Sequence, residues 1–113
     1  MVSSKYQLTA MSHYREMPFG EKLTRILSFT EIVDTFAPQV VKEELGKEKV
    51  AELQAIWSEG VQPVPSGASE QEKYEIAYQN FLWKWVSANN FMRENKGDAG
   101  EVANYGTYRI LAA

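Results

Sequence analysis

The sequence predicts an all-α fold: a small helical bundle of four or five helices, with a helical hairpin at Gly46 and a long aromatic-rich helix over about residues 70–95. Three observations predict it. Apolar residues recur every three or four positions through most of the chain, the repeat of a helix with one buried face. Ser28-Phe-Thr-Glu31 and Ser69-Glu-Gln-Glu72 both have the serine-to-glutamate spacing of a capping box. Gly46, Gly60 and Gly97 each follow an amphipathic run, where a helix commonly ends.

Residues 1–17 show no clear period and read as a less regular arm. Pro18 suits the start of a short helix, Phe19 to Leu27, with Leu23, Ile26 and Leu27 on its apolar side. At Ser28 the capping box, flanked by Leu27 and Ile32 as a hydrophobic staple, predicts a break and a fresh start. The competing reading is one helix running through from Gly20. Beyond it, Ile32, Val33, Phe36, Val40, Val41 and Leu45 keep helical spacing across Pro38. A proline inside a helix costs about 3 kcal/mol, so a kink or a junction of two short helices is expected there. Lys47 to Glu59 forms the next helix, with Val50, Leu53, Ile56 and Trp57 inward. The lone Gly46 before it implies a tight turn between neighbouring helices.

Val61 to Ala68 carries two prolines and a glycine and reads as a plain linker. The second capping box then opens the aromatic helix, which Gly97 stops. Residues 98–113 form a second, less regular arm. Glu101 to Tyr105 has room for one helical turn, and Tyr108 to Leu111 for a short strand or strap.

At 113 residues, the chain is sized for a single helical domain with its own core, spanning residues 1–113. A hydrophobic fraction of 44% and a charged fraction of 24% are those of a folded protein. Cysteine is absent, which excludes disulfides, thiolate metal sites and cysteine nucleophiles. No apolar run reaches the roughly 18–20 residues of a membrane span, and the N-terminus lacks the apolar core of a signal peptide. A soluble, cytoplasmic protein is the expectation, with neither membrane nor nucleic acid as partner. The charge pattern supports the second point. Residues 1–30 hold four bases and two acids, residues 31–75 four bases and ten acids, and residues 76–113 four bases and three acids. A nucleic-acid footprint needs clustered Lys and Arg rather than an acidic middle. That acidity reads as a solvated helix face or, more sharply, as a docking surface for a basic partner.

Residues that carry chemistry are sparse. His13 is the lone histidine, and Ala10 stands three residues before it, so a Glu-x-x-His metal pair is not available. Glu43, Glu44, Glu48 and Glu52 alternate with Lys42, Lys47 and Lys49, which suits solvated charges better than a cation site. A serine triad would have to recruit His13. Gly97-Asp-Ala-Gly100 has no following lysine and no preceding strand, so it is not a phosphate loop. No catalytic residue, metal ligand or cofactor is assigned, and the balance leans away from an enzyme.

The aromatic helix carries the functional expectation. Tyr74, Tyr78, Phe81, Trp85, Ala88 and Met92 share one face, while Ile76, Leu82, Trp83 and Val86 fall on others. Trp83 and Trp85 point about 200° apart, so one core cannot take both. The second face is left for residues 1–17 or 98–113 of the same chain, a second copy, another protein or a small apolar ligand, and Tyr74, Tyr78, Trp83 and Trp85 are the candidate contact residues for a ligand or partner. Asn89 and Asn90 lie beside them and either face water or orient a neighbouring chain. The leading expectation is a helical interaction or assembly module, forming a homo-oligomer or binding a protein partner. The alternatives are a pocket for a small apolar or aromatic ligand, in a binding protein or an enzyme, and a subunit of a larger complex. Val41 to Trp57, about a sixth of the chain, resembles helical hairpins of the L-2-amino-thiazoline-4-carboxylate hydrolase-like family. The cysteine-bearing part of that family has no counterpart here, and no residue role is carried over.

Overall fold

The structure is a computed structural model and describes residues 16–100 and residue 102. Among these residues the regular structure is entirely helical, with α1 over Phe19–Leu45, α2 over Lys47–Gly60 and α3 over Glu70–Lys96. Gly100 and Val102 are helical again after α3. Most of the two expected arms, and with them His13 and the strand or strap at Tyr108 to Leu111, lies outside the described residues.

Among the described residues three helices thus stand where four or five were expected of the whole chain, and the difference arises partly at Ser28. The break expected there does not occur: α1 runs unbroken through it and through Pro38. Ser28 Oγ donates back to Thr24 O at 3.1 Å instead of capping the following turn. Thr24, Thr30 and Thr35 make the same bond to the carbonyl four residues earlier. Serine and threonine can be satisfied inside a helix this way, so a capping-box pattern does not by itself end one. The buried stripe Ile26, Val33, Phe36, Ala37, Val40 and Val41 passes both sites without a change of face. Burying a side chain such as Val33 or Val41 fully contributes about 1.5–3 kcal/mol. A few such residues on both sides of Pro38 offset the cost of the hydrogen bond it removes.

The other signals act as their chemistry suggests. Ser69 Oγ accepts from the Glu72 N–H at 3.2 Å and donates to Glu72 Oε1 at 3.2 Å, starting α3. Gly97, at φ 98° and ψ −17°, closes α3 with its N–H on Arg93 O at 2.9 Å. Gly46 joins α1 to α2 alone, at φ 98° and ψ 161°, a region that is essentially glycine-only.

Aromatic and ionic contacts set the directions of the helices. Phe19 meets Tyr74, Phe29 meets Phe81, Phe36 meets Trp85, and Glu44 pairs with Lys96. Residue numbers rise together on both helices, so α1 and α3 run side by side in the same direction. At 27 residues each they are matched in length, about 40 Å. The shorter α2 turns back from Gly46 and reaches the middle of α3, where Trp57 meets Lys84. The linker then returns the chain to the start of α3, beside Gly20 of α1. The core is built from the α1 stripe, Leu53 and Trp57 of α2, and Ala77, Phe81, Ala88, Phe91 and Met92 of α3, with Val102 beyond.

Candidate functional site

Two tryptophans clasp α2 to α3. Trp57 Nε1 donates to Lys84 O at 3.2 Å. Trp83 Nε1 donates in the opposite direction, to Trp57 O at 3.2 Å and Ile56 O at 3.3 Å. Trp57 O also accepts the Val61 N–H that closes α2, at 3.1 Å, so the indole is a second donor to a carbonyl oxygen with two lone pairs. Gly60 makes the fit possible: a Cβ there would lie 2.2 Å from Trp83 Cε2 and 2.3 Å from Nε1. Lys84 extends the clasp to α1. Its ammonium sits 5.4 Å over the Trp57 ring and pairs with Asp34 at 2.8 Å.

Asn80 continues the same edge into the linker. Its Oδ1 accepts from the Gln62 N–H at 2.9 Å and its Nδ2 donates to Gln62 O at 2.8 Å. One side-chain amide thus satisfies both backbone groups of a linker residue, as a neighbouring strand would. Sequence reasoning missed this residue, because nothing local to Asn80 signals a partner eighteen positions away.

The four expected contact residues go to three places. Trp83 lies against the end of α2, as above. Trp85 is half-buried and meets Phe36 of α1 edge-on at 6.1 Å. The divergence of the two indoles is therefore taken up by two different helices of the same chain. Tyr74 is half-buried between Phe19 and Tyr78, each 5.8 Å away, with the Lys22 ammonium 5.8 Å from its ring. Tyr78 is exposed.

Tyr78 shares the exposed apolar surface of α3 with two residues outside that set. Tyr78, Leu82 and Val86 are 38%, 38% and 48% exposed and sit at four-residue spacing. Side chains four apart stack along one side of a helix. Asn80 and Lys84, which face α2 and the linker, point roughly 160–200° round the helix from Leu82. The stripe therefore lies on the side of α3 turned away from α2. Its signal was present in the spacing of Tyr78, Leu82 and Val86, beside the more strongly aromatic face that α1 covers. The buried Ser87 and Asn89 do not contribute to it. Their side chains bond within the helix, to Trp83 O at 2.5 Å and Trp85 O at 2.7 Å.

An open groove of about 530 Å³ runs along the first half of α1, lined by Met17, Gly20, Glu21, Thr24, Arg25, Ser28 and Phe29. None of Tyr74, Tyr78, Trp83 and Trp85 is among these lining residues. Among the described residues no group of three or more His, Asp or Glu side chains is placed to hold a metal ion. No helix among them is long and apolar enough to cross a membrane.

Comparison with protein-family models, curated proteins and solved structures gives no match to this chain. The likeness over residues 41–57 therefore carries no part of the functional reading.

Proposed function

We propose that this chain is a helical interaction module that self-associates through α3. The carrying observation is the exposed stripe of Tyr78, Leu82 and Val86 on a helix whose other sides are committed to α1 and α2. Single exposed apolar residues are ordinary on a protein surface, whereas three in a helical row form a contiguous strip that gains from a partner. Tyr78 is enriched for this role by its amphipathic ring. Trp83 and Trp85 serve the reading from inside: they fix the rotation of α3 about its axis and so decide which side chains face outward.

In this reading the molecule is a soluble, cytoplasmic all-α bundle with a helical hairpin at Gly46. Its chemistry is recognition rather than catalysis.

The test is sedimentation equilibrium of the wild type beside Leu82→Glu. Three side chains per copy make a small apolar patch, and small interfaces give weak complexes. A dimer forming at tens of micromolar is expected for the wild type, an estimate of the order set by such interfaces. Leu82→Glu should remain monomeric with an unchanged far-ultraviolet circular dichroism spectrum. A wild type that stays monomeric to several hundred micromolar, or a variant that associates equally well, defeats the reading.

A further inference from the structure

A single residue joins α1 to α2. We infer that Gly46 is a hinge through which two copies of this chain exchange α1. Opened, the hinge lets α1 leave its seat on α2 and α3 and take the same seat on a second copy, giving a two-fold, domain-swapped dimer. The exchange does not use the exposed stripe of α3 and stands or falls apart from it.

The division of contacts favours α1 as the element exchanged. α2, the linker and α3 are tied to one another through backbone groups. Trp57 Nε1 donates to Lys84 O, Trp83 Nε1 donates to Ile56 O and Trp57 O, and Asn80 bonds both backbone groups of Gln62. α1 meets this unit through its buried stripe and through side-chain ion pairs, Asp34 with Lys84 at 2.8 Å and Glu44 with Lys96 at 2.6 Å. Each of those contacts can be remade unchanged by α1 of another copy, which is why exchange of identical elements is a low-cost route to a dimer.

The hinge itself is poised between two forms. Its φ of 98° and ψ of 161° lie in a region that is essentially glycine-only. The Gly46 N–H already donates to Lys42 O at 3.0 Å, as in a continuing helix. α2 begins without a side-chain cap. Turning this one residue to helical φ and ψ would run α1 into α2 and join the first N–H groups of α2 to the last carbonyls of α1. It would also set Glu43 four residues before Lys47, the favourable order for a helical ion pair, and both are exposed. A side chain has room at the hinge, since a Cβ on Gly46 meets nothing within 4 Å. The opened Phe19–Gly60 segment is a helix roughly 60 Å long. Two such helices, antiparallel about Gly46, place α1 of each copy against α2 and α3 of the other.

The test uses Gly46→Ala in a Leu82→Glu background, where the α3 stripe is disabled. Alanine strains the closed hairpin, favouring the open form by roughly fivefold to a hundredfold per hinge. It favours the continuous helix by about fivefold more. With two hinges per dimer, dimerisation should strengthen by about a thousandfold or more. Unlabelled and nitrogen-15-labelled chains are mixed equally in urea and refolded together at several hundred micromolar. A zero-length carbodiimide then couples Glu44 to Lys96, and the linked peptides are read by mass spectrometry.

The expected product is a dimer in which about half of the Glu44–Lys96 links join a light chain to a heavy one, as random exchange requires. A flexible glycine insertion after Gly46, which lets the hairpin close without strain, should give monomers with links inside one chain. Refolded in dilute solution, Gly46→Ala should stay closed and merely be less stable. A Gly46→Ala chain that remains monomeric at several hundred micromolar overturns the inference. So does a dimer whose links join only chains of like isotope, because α1 has then stayed on its own copy. So does a chain that fails to fold at that concentration, since the exchanged dimer keeps the whole core and carries no strained residue. None of these outcomes bears on the α3 stripe.

Discussion

Replacing Gly60 with alanine tests the tryptophan clasp, because the local and tertiary effects of the change have opposite signs. Alanine is a better helix former than glycine by up to about 1 kcal/mol, so at the end of α2 the substitution alone should be neutral or stabilising. The tertiary effect is a collision. The new Cβ would stand 2.2–2.3 Å from the Trp83 indole, far inside van der Waals contact. Overpacking of this kind costs roughly 1–3 kcal/mol. Displacing the ring also lengthens its bonds to Ile56 O and Trp57 O, worth about 1 kcal/mol together. Set against the helix-propensity gain, the net loss is about 1–3 kcal/mol. At this chain length that lowers the thermal midpoint by roughly 4 °C per kcal/mol.

Urea unfolding followed by tryptophan fluorescence and by circular dichroism measures it. A double-mutant cycle adds the control: in a Trp83→Ala background the Gly60→Ala penalty should largely vanish, because the colliding ring is gone. A Gly60→Ala protein as stable as the wild type, or a penalty undiminished in the Trp83→Ala background, would refute the packing of Trp83 on α2.

Three further outcomes follow from the same structure. Gly46→Ala should destabilise by roughly 1–3 kcal/mol in urea titrations, through backbone strain alone, since a Cβ there meets nothing within 4 Å although φ is 98°. Leu53→Ala removes a fully buried side chain where α2 faces the core and should cost about 2–5 kcal/mol by the same assay. Asn80→Ala removes both bonds to Gln62. It should cost about 1–2 kcal/mol and speed limited proteolysis within residues 61–68, read by mass spectrometry of the fragments.

What the sequence disclosed follows the range of the forces involved. The starts and stops at Ser69, Gly46, Gly60 and Gly97 depend on residues a turn or less apart, and their positions could be read directly. The aromatic face of α3 was also legible: Phe81, Ala88 and Met92 are buried and Trp85 meets Phe36. Ser28 was misread because the same residues that cap a helix also bond back along one, and the apolar stripe of α1 decides between them. Contacts bridging 18 to 27 positions, such as Asn80 with Gln62 and Trp83 with Trp57, leave no local trace. The stripe at Tyr78, Leu82 and Val86 became distinct only once α1 and α2 were seen to take the other sides of α3.

The central claim is that this stripe is the surface two copies share. A dilution series of methyl-labelled protein, followed by nuclear magnetic resonance from about 10 to 500 μM, tests it most directly over the concentrations at which so small an interface should form. The Leu82 and Val86 methyl signals should move with concentration while those of the buried Val33 and Leu53 stay fixed. Shifts confined to other surface methyls, or no shift at any concentration, would contradict it.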